Sequence, residues 1–130
     1  QRKIAAADFF QGLYSTALEA GELITAISFP IPAKAVYLKF QQPASRFALV
    51  GVFVAQTSGG VRVAVTGAAS GGVFRHEELE AALTQSFTPA AAAAVRIDAS
   101  DLNTDLHASA DYRAHLIGVL TQRAVQQLSA

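Results

Sequence analysis

Residues 47–69, FALVGVFVAQTSGGVRVAVTGAA, constrain the fold more than any other stretch. From Phe47 to Thr57 apolar residues occupy both alternating faces, which suits a strand buried on both sides. Ser58-Gly59-Gly60 supplies the positive-φ positions of a hairpin turn. The returning VRVAVTGAA sets Val61, Val63 and Val65 on one face. The two runs predict an antiparallel hairpin with a central strand, so further strands must lie beside it.

AVYLKFQQ, from Ala35, alternates cleanly. Val36, Leu38 and Phe40 point inward, and Tyr37, Lys39 and Gln41 point the other way. ELITAISFP, residues 22–30, alternates Leu23, Thr25, Ile27 and Phe29 against Ile24, Ala26 and Ser28. It predicts another strand, stopped by Pro30 and Pro32, which cannot donate to a ladder. EAGE at 19–22 is a turn. Asp8 is placed to cap a short helix, DFFQGLY, anchored by Phe9, Phe10 and Leu13.

After Ser70-Gly71-Gly72 the period changes. HEELEAALTQ predicts a helix with Glu77 and Glu78 in its first turn, where the helix dipole favours acids. Its stripe is Leu79, Ala82 and Leu83. Thr88 caps a second helix, TPAAAAAVRI, with Pro89 at its first position. A polar loop, DASDLNTDLHA, leads to Ser109, which caps the last helix over 110–129. There Ile117, Leu120, Ala124 and Leu128 recur at helical spacing, joined by Tyr112, Leu116 and Val119.

Strands followed by segregated helices predict an α+β fold. The expected architecture is an antiparallel sheet of three to four strands with about three helices on one face. The other face is solvated or covered by a partner. With 52% apolar residues among 130, the chain has enough to bury a core, and residues 1–130 read as a single domain. No linker or repeat interrupts it.

The composition narrows the chemistry. Ten basic residues balance ten acidic ones, which leaves no electrostatic footprint for nucleic acid. No apolar run approaches the ~18–20 residues of a membrane span. Without cysteine there is no disulfide, thiolate nucleophile or iron–sulfur ligation. His76, His107 and His115 lie in three different elements without ligand spacing, so surface or capping roles suit them better than a metal. TGAASGG, 66–72, invites a phosphate-cradle reading but lacks the Gly-Lys-Ser/Thr ending. Asp101, Asp105 and Asp111 do not form a calcium-loop pattern. Arg96, Arg113 and Arg123 read as surface or helix-end pairs. No acid–base pair emerges from spacing. Lys39 stands out, because it shares its strand face with Tyr37 and Gln41. That face is either solvated or turned toward a planar polar ligand or a partner domain.

Three stretches taken in order carry a resemblance. DFFQGLYSTALEAGELITAISFP, YLKFQQPASRFALVGVFVA and DLHASADYRAHLIGVLTQRAV together resemble the C-terminal domain of the FAD-binding, or medium, subunits of molybdenum hydroxylases. That family includes carbon monoxide dehydrogenase, xanthine dehydrogenase and aldehyde oxidoreductases. The resemblance implies a longer subunit whose N-terminal FAD-binding domain precedes this chain and holds the flavin. It implies iron–sulfur and molybdenum subunits as further partners, a cytoplasmic location, and no bond-making residue in this domain. FAD would belong to the full-length subunit and not to this chain alone. By resemblance, Lys39 matches a strand lysine near the flavin, and Ile24 matches an aliphatic residue on a neighbouring strand that contacts it. The turn QQPASRF departs from the family pattern, which has an arginine near Pro43 and an acid near Arg46. Without the resemblance, a free-standing self-association module remains open, as does a small hydrolase built on Tyr112 or a histidine.

Overall fold

The computed structural model describes residues 1–12 and 14–130. Its elements in chain order are α1 (Ala6–Phe9), β1 (Phe10–Gly12), β2 (Ser15–Thr16), β3 (Lys34–Gln41), β4 (Ala48–Thr57), β5 (Gly60–Ala69), β6 (Gly72–Arg75), α2 (Glu77–Gln85), α3 (Pro89–Ala94) and α4 (Ala110–Ser129). Strands β3-β4-β5-β6 form a four-stranded antiparallel meander, while β1 and β2 pair separately.

The hairpin read from residues 47–69 is present. Val52 faces Val65, Val54 faces Val63, and Thr57 faces Gly60 across the turn. Thr57 Oγ1 accepts the N–H of Gly59 and donates to the carbonyl of Gly60 at 2.8 Å, which closes that turn. Val50, Val52, Val54, Val63 and Val65 are fully buried beneath α4, with Ile117, Ala124 and Val125 opposite them. Val36 and Leu38 of β3 and Phe74 of β6 pack against the rim of this core. Phe40, expected inward, lies at the sheet's end and stays 41% exposed, its ring edge-on to Tyr112.

The caps follow the sequence closely. Thr88 Oγ1 accepts from Ala91 N, and Ser109 Oγ accepts from Tyr112 N at 3.2 Å. His76 Nδ1 accepts from Leu79 N, so this histidine caps α2. Burial pushes its pKa down, although Glu78 and Glu80 pull it upward. A neutral ring leaves Nδ1 free to accept.

Helix α2 also seals the edge of β5. β6 ends at Arg75, so the ladder N–H groups of Val63 and Val61 have no strand partner. Glu80 Oε1 accepts the first and Thr84 Oγ1 the second, each at 3.0 Å. Residues four apart on a helix match residues two apart on a strand, because both spacings are about 6–7 Å. Arg75 forks onto the same Glu80 carboxylate, and Arg62 approaches it at 4.0 Å.

Four expectations need correction. Residues 22–30 are not a strand of this sheet; the fourth strand is β6, which follows β5 through a tight turn at 70–71. Four residues are too few to show a period, so β6 was hidden in the sequence. The helix expected over 8–14 shrinks to α1, capped at Ala5 without a side chain, and the chain turns into β1 at Phe10. Its expected anchor Leu13 lies outside the described residues. Arg113, read as a surface residue, is 3% exposed. Tyr112, placed on the apolar stripe of α4, is 42% exposed.

Candidate functional site

β3 sets Tyr37 and Lys39 on the face opposite α4, as its alternation predicts. Opposite them on β4 stand Phe53 and Gly51, and Gly51 in turn faces Thr66 of β5. Tyr37 Oη lies 3.1 Å from Thr66 Oγ1, so a phenol hydroxyl spans three strands over the bare Cα of Gly51. A Cβ there would overlap the Tyr37 hydroxyl and come within 2.5 Å of Thr66 Oγ1. The outcome is a flat patch: Tyr37 and Phe53 are half exposed, with Lys39 beside them.

Lys39 Nζ donates to the Arg46 carbonyl at 3.2 Å and forms no ion pair among the described residues. The turn that offers this carbonyl is tightly wound. Arg46 N–H reaches the Gln42 carbonyl at 2.8 Å, Ser45 N–H reaches Gln42 Oε1 at 2.7 Å, and Gln42 N–H reaches the Phe47 carbonyl. Closing it puts Arg46 at φ +60°, a region non-glycine residues occupy at a cost of roughly 1 kcal/mol or more. The Arg46 carbonyl thus holds the Lys39 ammonium at one end of the outer face.

Ile24 is elsewhere in the architecture. It is half exposed in a segment, residues 23–32, that forms no strand and no backbone hydrogen bond among the described residues. The neighbouring strand expected to carry Ile24 beside Lys39 is therefore absent. Pro43 lies within the turn and carries no charge.

The anchor behind this site is one that sequence reasoning missed. Strand β4 bulges at Leu49, which faces no β3 residue, because Phe40 pairs with Val50 and Gln41 with Ala48. β5 bulges near Gly67, at φ +76°, where a Cβ would overlap the Ala48 carbonyl. Arg113 Nη1 donates to both bulge carbonyls, Leu49 at 2.7 Å and Gly67 at 3.1 Å, and Nη2 pairs with Asp105 Oδ2 at 2.8 Å. The N–H of His107, then that of Ala108 and the Arg113 charge, hold the Asp105 carboxyl below its usual value against partial desolvation. Asp105 and Arg113 bracket the run DLHASADYR, so the spacing was visible although the burial was not.

Among the described residues no group of three His, Asp or Glu is placed to hold a metal. TGAASGG is a bulged strand end and a hairpin turn that leads into β6, so it offers no helix N-terminus to a phosphate. No described helix is long and apolar enough to cross a membrane.

Residues 35–128 match the family model "CO dehydrogenase flavoprotein C-terminal domain". The chain is 31% identical over 99% of its length to the carbon monoxide dehydrogenase medium chain of Afipia carboxidovorans. It is 34% identical over its full length to the nicotine 6-hydroxylase medium subunit of Paenarthrobacter nicotinovorans. Each alignment covers 49% of the relative, so the chain spans about half the length of the curated relatives it matches. Quinoline 2-oxidoreductase from Pseudomonas putida 86 shares the fold with a TM-score of 0.77 and 26% identity, over 98% of this chain and 48% of the other. The α+β sheet-and-helix architecture, the ordered motifs and the family match converge: this chain belongs to the CO dehydrogenase flavoprotein C-terminal domain family.

Proposed function

We propose that this chain is the C-terminal domain of a longer flavoprotein subunit and that its outer sheet face closes one side of a flavin held mainly by the preceding domain. The observation that carries the reading is Lys39, an ammonium held beside a flat aromatic face with only a carbonyl for a partner. The residues fit one wall of a flavin site and no more. Tyr37, Gly51 and Phe53 offer a planar surface, and Lys39 a fixed positive charge, but no loop here cradles a pyrophosphate.

FAD, when bound, would supply the electron-carrying ring. A cation at Lys39 stabilises negative charge on such a ring. The Arg46 carbonyl and the tight turn hold the ammonium in place. Ile24 would contribute an aliphatic contact from the segment 23–32. Substrate choice lies outside this domain, since the relatives are named for carbon monoxide, nicotine and quinoline. In the parent enzyme, electrons would arrive from molybdenum and iron–sulfur subunits, and this domain would orient and pack without making bonds.

The test is the absorbance spectrum of the chain, purified alone and with its natural upstream residues. A flavin band in the longer form only is the expected result. A longer form without flavin overturns the reading. It would leave a self-association module as the better account, one favoured by the exposed Ile27, Phe29 and Ile31.

A further inference from the structure

The unpaired arm carries more information than its lack of structure suggests. Residues 23–33, LITAISFPIPA, contain no charge. Leu23, Ile27, Phe29 and Ile31 are 85%, 68%, 83% and 97% exposed. Extended apolar segments that face water are normally protected by charge or a cover, and this one carries no charge and no cover among the described residues.

Both ends of the arm are nonetheless held. At Glu22 the carboxylate takes a two-pronged hydrogen bond from Arg2, at 2.9 and 2.6 Å, while Arg2 also reaches the Ala17 carbonyl at 2.6 Å. At the other end the Ala33 N–H extends the main ladder to the Gln56 carbonyl at 2.8 Å. Between these two pins the backbone groups of residues 23–29 make no hydrogen bond among the described residues, and the one side-chain bond is from Gln1 Nε2 to Thr25 Oγ1 at 3.2 Å. The alternation within them is that of a strand with apolar residues on both faces. Such a pattern is stable only inside a sheet with layers on either side.

The boundary coincides with the comparisons. The domain-family match begins at residue 35, yet the relatives align across the arm as well, and each relative is about twice as long as this chain.

We infer that residues 23–29 are a strand of a second sheet, completed by the preceding half of the same subunit, to whose open edge the arm adds. This rests on the reading that the chain is part of a longer subunit. Strand addition uses the ladder groups for affinity and alternate side chains for register. The seven residues would span about 23 Å of edge. Pro30 and Pro32 end the pairing, because neither has an N–H to donate. Ile24 then contacts the upstream half directly, and Lys39 belongs to the other body. The two candidate flavin-facing residues would therefore meet across a seam between two sheets.

Amide hydrogen exchange tests this in the subunit with its natural upstream residues, alongside the 130-residue chain. The expected result is exchange over 23–29 slowed about a hundredfold or more in the longer protein and near the unstructured rate in the shorter one. Equally fast exchange in both overturns the inference, and so does concentration-dependent protection in the shorter chain, which would mean self-pairing. A gene without an upstream half overturns it as well. Ile27→Asp adds a second readout. It should lower the Tm of the longer subunit and leave that of the 130-residue chain unchanged, and an equal effect on both counts against the inference. The flavin absorbance of the same sample separates the two proposals. Flavin bound with an unprotected arm sinks only the strand, and a protected arm without flavin sinks only the flavin wall.

Discussion

The carboxylate of Glu80 accepts the backbone N–H of Val63 at 3.0 Å, so a helix side chain finishes a strand ladder. Arg75 and Arg62 gather on the same carboxylate. Replacing Glu80 by Ala leaves a buried ladder N–H without an acceptor and a guanidinium without its partner. Urea denaturation should show a loss of about 2–3 kcal/mol. Thr84→Val, which orphans only Val61 N–H, should cost about 1 kcal/mol. Equal stability of Glu80→Ala and the parent would show that the edge needs no seal.

The same carboxylate gives stability a pH dependence. Burial raises its pKa, but the Arg75 hydrogen bonds, the Val63 N–H and the charges of Arg75 and Arg62 outweigh this and hold it below the ordinary Glu value of 4.5. A depressed carboxyl contributes fully above its unfolded pKa and loses that contribution as pH falls through the lower folded value. Stability should therefore decline below about pH 4.5. Glu80→Gln should flatten this acid limb. A limb of unchanged slope would assign the loss to other carboxylates.

His76 acts in a higher window. Its pKa is depressed from 6.5, first by burial. The unfolded chain then binds a proton that the folded chain resists, so stability falls as pH drops through 6.5 toward the folded value. Thermal melts of His76→Asn should lose that component as pH falls through 6.5 while keeping a cap. Identical pH profiles would remove His76 from the balance.

Arg113 is buried, and its loss should be costly. It satisfies two bulge carbonyls and Asp105 from a buried position. Arg113→Ala should cost about 3–5 kcal/mol. Arg113→Lys should recover little, since one ammonium cannot reproduce the planar fork. A fully stable lysine variant would show that charge alone suffices there.

Gly51→Ala tests the outer patch. The new methyl must displace the Tyr37 hydroxyl and crowd Thr66, at a cost of about 1–3 kcal/mol. In a Tyr37→Ala background the part of that cost due to the phenol should vanish, while the part due to Thr66 remains. A near-ultraviolet spectrum that reports on the tyrosines should change in the single variant. An unchanged spectrum and stability would mean that Tyr37 does not lie over β4.

Much of this was legible in the sequence, for reasons that differ by element. The β4–β5 hairpin announced itself because both faces are apolar and the turn is glycine-rich. α3 and α4 announced themselves through Thr88-Pro89 and Ser109. Alternation alone set Lys39 on the outer face. β6 was silent because four residues carry no period. The alternation of 22–30 suggested a strand of this sheet, yet these residues form none, because a sequence shows which residues alternate and not whether a ladder lies beside them. Arg113 was misread because charge defaults to the surface. Its burial depends on two bulges, at Leu49 and Gly67, that bring spare carbonyls together from strands 18 residues apart in sequence.

The strand order β3-β4-β5-β6 joins only neighbours in the chain. The sheet can zip up hairpin by hairpin, with little loop-closure entropy at each step. Its valine-rich inner face, however, is covered chiefly by α4, which lies 40 or more residues beyond β5. During synthesis the meander must therefore exist for a time as a one-layered sheet, exposed on the face that later becomes its core. Docking of the last helix then closes that face, and the Arg113 fork onto the Leu49 and Gly67 carbonyls latches it.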